Sequence, residues 1–175
     1  MTKLFAVYLG GRAPKANTEL HDMVFVVGET IEDTYTQLLD KWFGTPGGLH
    51  LDSWLELDVV DGWRIGLVPN PAPQPEKLFF VNLGAYDDSF TELHATGFYV
   101  AATAEEAKKR AKASLLKCAQ TIHKDDLHEV DDCIALDSVE GLGIVLTHTG
   151  EGSSQKPNNG YHVIPKDVIA AHIAR

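Results

Sequence analysis

The segment Lys3-Leu-Phe-Ala-Val-Tyr-Leu-Gly-Gly11 returns later in the chain as Lys77-Leu-Phe-Phe-Val-Asn-Leu-Gly-Ala85. Thr18-Glu-Leu-His21 recurs as Thr91-Glu-Leu-His94, and Phe25-Val-Val27 as Phe98-Tyr-Val100. Thr30-Ile-Glu32 matches Thr103-Ala-Glu105, Leu49-His50 matches Leu127-His128, and Val60-Asp-Gly62 matches Val139-Glu-Gly141. The offset drifts by only a few residues over the whole set. Ordered matches of this kind mean that both halves are built on one fold.

The elements can be read once and applied twice. Leu4 to Leu9 and Leu78 to Leu83 are apolar on both faces, as central, doubly covered strands are. A loop leads to second strands, Met23 to Val27 and Phe98 to Ala102. Helices follow, capped at Thr30 with Asp33 and at Thr103 with Glu106, the latter a capping box. Ile31, Tyr35, Leu38 and Trp42 mark the buried stripe of the first helix; Ala104, Ala107, Ala111, Leu115 and Cys118 mark that of the second. A long strand from Leu49 to Val60 turns at Asp61-Gly62 and returns as Trp63 to Val68; Asp-Gly tolerates the positive φ of a tight hairpin. The spacing predicts a tandem β-β-α-β-β unit, an α+β protein with its halves in a pseudo-two-fold arrangement.

The predicted organisation is a first repeat over 1–68, a Pro-rich linker over 69–76, a second repeat over 77–146 and an extension over 147–175. Pro69-Asn-Pro-Ala-Pro-Gln-Pro75 reads as a semi-rigid spacer, because alternate prolines favour the extended polyproline conformation. The extension reads as a mobile loop to Gly160, then a short strand and a helix started at Pro165. Each half has about 70 residues, a size at which one core seldom suffices, so the two repeats are expected to form one folding unit.

Composition narrows the function classes. The 175 residues carry 15 Lys and Arg against 25 Asp and Glu, a net charge of -10, which opposes nucleic acid and anionic membranes. The basic cluster Lys108, Lys109, Arg110, Lys112 is the solvated side of a helix. With only two cysteines, Cys118 and Cys133, and no long apolar run, a cytoplasmic location is expected. Both cysteines read as small core residues. Ser153-Ser154 lacks the setting of a hydrolase nucleophile, and Gly10-Gly11 leads into no phosphate loop. No cofactor motif is present. Trp42 reads as core, although Trp42, Trp54 and Trp63 together have the chemistry of an aromatic binding surface.

In the long strand, alternation puts Leu49, Leu51, Leu55, Leu57 and Val59 on one face and His50, Asp52, Trp54, Glu56 and Asp58 on the other. His50 and Asp52 are therefore neighbours, so that the carboxylate fixes the imidazole tautomer. Aligning Leu57 with Leu136 leaves one extra residue between His128 and Asp131, which predicts a β-bulge in the second copy. The loop from Gly10 to Asp22 is the other polar concentration.

The residues Leu9, Gly10, Gly11, Arg12, Asn17, Glu19, His21, Asp22, Phe25 and Val27, followed by Leu49, His50, Asp52, Val60, Asp61 and Gly62, carry a resemblance. The pattern resembles a bacterial family known as domain of unknown function fifteen forty-three, over residues 3–68 and more weakly over 77–146. The resemblance implies a bacterial source and a duplicated domain, and brings no chemistry with it.

Residues kept in both halves are economically read as scaffold, and polar residues of one half only as candidates for a site. Arg12, Asn17 and Asp22 become Tyr86, Phe90 and Ala95 in the second copy. A ligand site is therefore expected around Arg12, Asn17 and Asp22, walled by His21, His50 and Asp52. Arg12 offers a planar fork for a carboxylate or phosphate; its structural alternative is an ion pair with Asp22 or Glu19. His21, Asp22, His50 and Asp52 also have the chemistry of metal ligands or of an acid–base pair, against which stands plain hydrogen bonding. The expected role is binding of a small molecule or protein partner; the alternative is a small enzyme using the first-repeat His/Asp group, with or without a metal. Oligomeric state stays open.

Overall fold

The computed structural model describes residues 1–86, 88–115, 121–122, 132–153 and 155–175. In chain order the elements are β1 (Lys3–Arg12), β2 (Leu20–Gly28), a 3-10 turn (Glu32–Thr34), α1 (Tyr35–Lys41), β3 (Thr45–Glu56), β4 (Val59–Val60) and β5 (Trp63–Val68). The second repeat supplies β6 (Lys77–Tyr86), β7 (Leu93–Ala101), α2 (Ala104–Ser114), β8 (Thr121–Ile122), β9 (Asp132–Leu136), β10 (Ser138–Val139) and β11 (Leu142–His148). The chain closes with β12 (Asn158–Val163) and α3 (Lys166–Ile173). The fold is mixed α+β and strand-rich, and each repeat opens with two strands and a helix and closes on a hairpin.

Two compact units divide the chain, one of residues 1–58, 139–141 and 154–175, the other of 59–138 and 142–153. These boundaries do not follow the repeats, because the hairpins are exchanged.

In the first unit, β12, β3, β1 and β2 form an antiparallel sheet in that order. Phe5, Val7 and Leu9 point from β1 into a core with Val24, Val26, Ile31, Leu38, Leu49 and Leu51. Ile164 and Ile169 join the same core, so the extension read as an appendage completes this unit. Leu4 and Ala6 on the other face of β1 are buried too, as its unbroken apolar run requires.

The first helix departs from its expected start. Thr30 does not act as an N-cap acceptor; its N–H and hydroxyl both donate to Asp33 Oδ2, at 2.9 and 3.0 Å. The carboxylate thus organises a bend and a 3-10 turn, and the α-helix begins only at Tyr35. Trp42 still closes the stripe, its indole N–H donating to the Thr45 carbonyl at 3.1 Å.

In the second unit, β6 pairs with β7 on one side and with β8 and β9 on the other. Phe79, Val81, Leu83, Tyr99 and Ala101 pack on Ala107 and Ala111 of α2. Thr103 Oγ1 accepts from the Glu106 N–H at 3.2 Å, while Glu106 Oε2 accepts from the Ala102 N–H at 3.4 Å. The return arm of the capping box therefore lands one residue early. Cys133 is half-buried beside this core; Cys118 lies outside the described residues.

A second sheet of this unit joins the repeats: β5 of the first pairs antiparallel with β11 of the second, from Gly143 opposite Val68 to His148 opposite Trp63. The two hairpin turns match in backbone, with φ of 53° and 82° at Asp61 and Gly62 and 51° and 76° at Glu140 and Gly141. The proline segment is held by contacts with β11. Pro71 lies against Gly143, and the Gln74 side chain bonds the Ile144 carbonyl and the Leu146 N–H, both at 3.0 Å.

The expected long strand Leu49 to Val60 is two strands, interrupted at Leu57 and Asp58. Its expected faces also fail beyond Asp52. Tyr8 pairs with Ser53 and Leu9 with Leu51, which makes Asp52 an extra, bulged residue. A bulge reverses the phase of alternation, so Trp54 packs against the same core as Leu49 and Leu51. The bulge expected between His128 and Asp131 lies outside the described residues.

Candidate functional site

Gly10 of β1 stands opposite His21 of β2 on one side and His50 of β3 on the other. Directly paired residues share a face, so both imidazoles flank a position with no side chain. A methyl group built on Gly10 would lie 2.5 Å from His50 Nε2 and 2.6 Å from Asp52 Oδ2. The glycine thus provides the volume in which these groups meet.

Local irregularities on β3 hold His50 and Asp52 in place. Between Gly10–His50 and Arg12–Thr45 the register slips, so that residues 46–49 bow out opposite Gly11 alone. Within that excursion Gly48 takes φ of 82°, a left-handed conformation suited to glycine, and its carbonyl lies 2.9 Å from His50 Nδ1. A carbonyl only accepts, so Nδ1 is the donor and Nε2 is left for another partner. The bulge at Asp52 is matched on β12, where Gly160 and Tyr161 fall between the Asn159–Ser53 and His162–Leu51 pairs. Tyr161 covers the His50 ring at 4.2 Å between centroids.

Glu19 ends the loop before β2, and His21 is the second residue of that strand. His21 Nε2 lies 3.0 Å from Asp52 Oδ2 and 3.7 Å from Glu19 Oε1, and its ring stacks flat on Tyr8 at 5.1 Å. His50 Nε2 lies 3.3 Å from Asp52 Oδ1 and 3.6 Å from Glu19 Oε1. His50 is only 1% exposed, and its Nε2 makes no hydrogen bond. Burial first, then the charges of Asp52 and Asp22, raise the Tyr8 phenol above its ordinary pKa.

Of the residues expected at a site, the structure brings His21, His50 and Asp52 together. Arg12 and Asn17 are exposed. Asp22 follows His21 directly and pairs with Leu9, so it points to the other face of the sheet. Glu19 was legible only as part of the repeated Glu-Leu-His; its place beside His50 depends on the β1–β2–β3 register. The second repeat keeps part of the row, with His94 opposite Gly84 and 3.8 Å from Glu92. His128 lies outside the described residues.

The family model described as Domain of Unknown Function (DUF1543) matches the chain twice, over residues 16–67 and 89–139. Both matches fall within the repeats read from the sequence. The chain is similar to a solved structure, the crystal structure of a protein Il1583 from Idiomarina loihiensis, at 38% identity and a TM-score of 0.76. That similarity covers 95% of this chain and 100% of the other. No curated protein matches. Among the described residues, no helix is long and apolar enough to cross a membrane.

Proposed function

We propose that this protein, which belongs to the DUF1543 family through both of its repeats, is a binding protein whose ligand site is the Glu19, His21, His50 and Asp52 cluster around Gly10. One observation carries the reading: a buried imidazole nitrogen, His50 Nε2, has no hydrogen bond and faces the space beside Gly10. Buried polar atoms are nearly always satisfied, so an orphan aimed into a polar recess fits a group supplied from outside. The exposed side is formed by Glu19 and His21, whose side chains are 40% and 37% accessible, which gives a ligand its entry.

Native mass spectrometry of the full chain, purified without chelator, tests this. The wild type is expected to carry an added mass, ion or small molecule, that Asp52→Asn lacks. A wild type that carries nothing, and whose Tm no compound in a panel of metal salts, small carboxylates, phosphate esters and amines raises, would return the cluster to the scaffold.

The His21–Asp52 couple favours a second reading, a small enzyme in which Asp52 orients an accessible imidazole as general base. Turnover of chromogenic ester or phosphate substrates that His21→Ala abolishes would favour it over binding alone.

A further inference from the structure

Three groups able to donate an electron pair to a cation converge beside Gly10. His50 Nδ1 is committed to the Gly48 carbonyl at 2.9 Å, so Nε2 is the ring nitrogen turned inward. Asp52 Oδ1 at 3.3 Å and Glu19 Oε1 at 3.6 Å face that nitrogen, and neither makes a hydrogen bond with it. Two carboxylates thus gather about a buried nitrogen that has no hydrogen-bond partner. A cation among them satisfies all three.

The spacing fits a particular kind of cation. Tetrahedral zinc with nitrogen and carboxylate ligands at about 2.0–2.2 Å places neighbouring ligand atoms about 3.3–3.6 Å apart. The two separations from His50 Nε2 match that spacing, and the donor atoms of all three residues lie within 4.8 Å of one another. One imidazole and two carboxylates suit the divalent first-row metals; calcium asks for six to eight oxygens, and copper(I) for sulfur. The outer oxygen of Asp52 is held by His21 at 3.0 Å, the kind of support that orients a ligating carboxylate.

We infer that Glu19, His50 and Asp52 bind one divalent transition-metal ion, of the zinc or manganese class, with a further position open to water or a second ligand. The inference rests on the binding reading and names its ligand class. His50 ligates through Nε2, and His21 acts as a positioning residue through Asp52. Three protein ligands and an accessible side make an open site rather than a closed structural one.

Equilibrium dialysis of the full chain against zinc after chelator stripping, with elemental analysis, gives the stoichiometry. Cobalt(II) as a second probe gives the geometry through its visible absorption. One ion per chain is expected, with affinity lowered at least about tenfold in Glu19→Gln and Asp52→Asn. His94→Ala in the second repeat is expected to bind as the wild type does. Circular dichroism shows that each variant is folded, and Glu19→Gln, on an exposed side chain, keeps the test usable if Asp52→Asn is not. No stoichiometric ion, or an ion retained equally by folded Glu19→Gln and Asp52→Asn, overturns the inference. If the native mass spectrum shows an organic ligand while zinc and cobalt fail to bind, the metal falls and the binding reading stands. If neither appears, both fall.

Discussion

Gln37 and Arg110 hold equivalent positions on α1 and α2 and close the outer edges of equivalent strands by different chemistry. The Gln37 amide accepts from the Val27 N–H at 3.0 Å and donates to the Val27 carbonyl at 2.7 Å. At Val100 the same two groups are served by two residues: Asp61 accepts from the N–H at 2.8 Å, and Arg110 donates to the carbonyl at 2.7 Å. Asp61 and Arg110 also pair with each other at 2.7 Å. An edge strand otherwise exposes its backbone to pairing with other chains, so both devices also protect the fold.

The two closures should respond differently to salt. Gln37→Ala removes two neutral hydrogen bonds and is expected to cost about 1–3 kcal/mol, independent of ionic strength. Asp61→Asn keeps an acceptor and a residue tolerant of positive φ, removing only charge. Its expected cost is about 0.5–1 kcal/mol at low salt and close to nothing in molar salt. Urea unfolding at two salt concentrations measures both.

Two glycines give a direct test of the recess. Gly10→Ala forces a methyl group against His50 and Asp52 and is expected to destabilise the protein by about 1–3 kcal/mol. Gly47→Ala meets nothing within 4 Å and should stay within about 0.5 kcal/mol of the wild type. Equal costs in thermal unfolding would mean that the space beside Gly10 is not as described.

The Thr30 bend contributes to acid sensitivity. Its two hydrogen bonds hold the Asp33 carboxyl below its ordinary pKa of 3.8. A carboxylate with a lowered folded pKa stabilises above its unfolded value, and that contribution is lost as pH falls through the folded value. Asp33→Asn should therefore lower stability near neutrality while flattening the decline below about pH 4. Denaturation midpoints measured from pH 6 down to pH 2 report the slope.

Tyr8 gives an optical handle on the same region. Burial chiefly, then Asp52 and Asp22, raise its phenol above the ordinary 10.0. Ultraviolet titration is expected to show two tyrosines ionising late, Tyr8 and Tyr35, of which Tyr8 alone is moved part of the way back by Asp52→Asn and less by Asp22→Asn. A Tyr8→Phe variant identifies the transition.

Where one local rule sufficed, the fold was legible in the sequence. The apolar run Leu4 to Leu9, the helix stripe ending at Trp42 and the twin turns Asp61-Gly62 and Glu140-Gly141 each follow from periodicity or backbone tolerance alone. The proximity of His50 and Asp52 was legible for the same reason. The phase of β3 was not, because the bulge at Asp52 is set by pairing with β1 and β12 rather than by its own residues. Glu19 joined the cluster through the register of three strands, which no local pattern in its own segment announces. The argument from asymmetry between copies pointed away from Glu19, His21 and His50, which recur in both halves. Recurrence marked a geometric row across the sheet as readily as it marked scaffold.

The crossing of the hairpins bears on how such a chain came to be. Glu140 reaches Lys41 at 2.7 Å in the first unit, while Asp61 serves Arg110 and Val100 in the second. A polypeptide with a single copy would carry a hairpin with no strand to pair with and a helix lacking the turn that meets it. Only a second molecule could supply both, so its folding would depend on its own concentration. Joining two copies through a pinned proline segment makes the exchange internal and frees it from dilution.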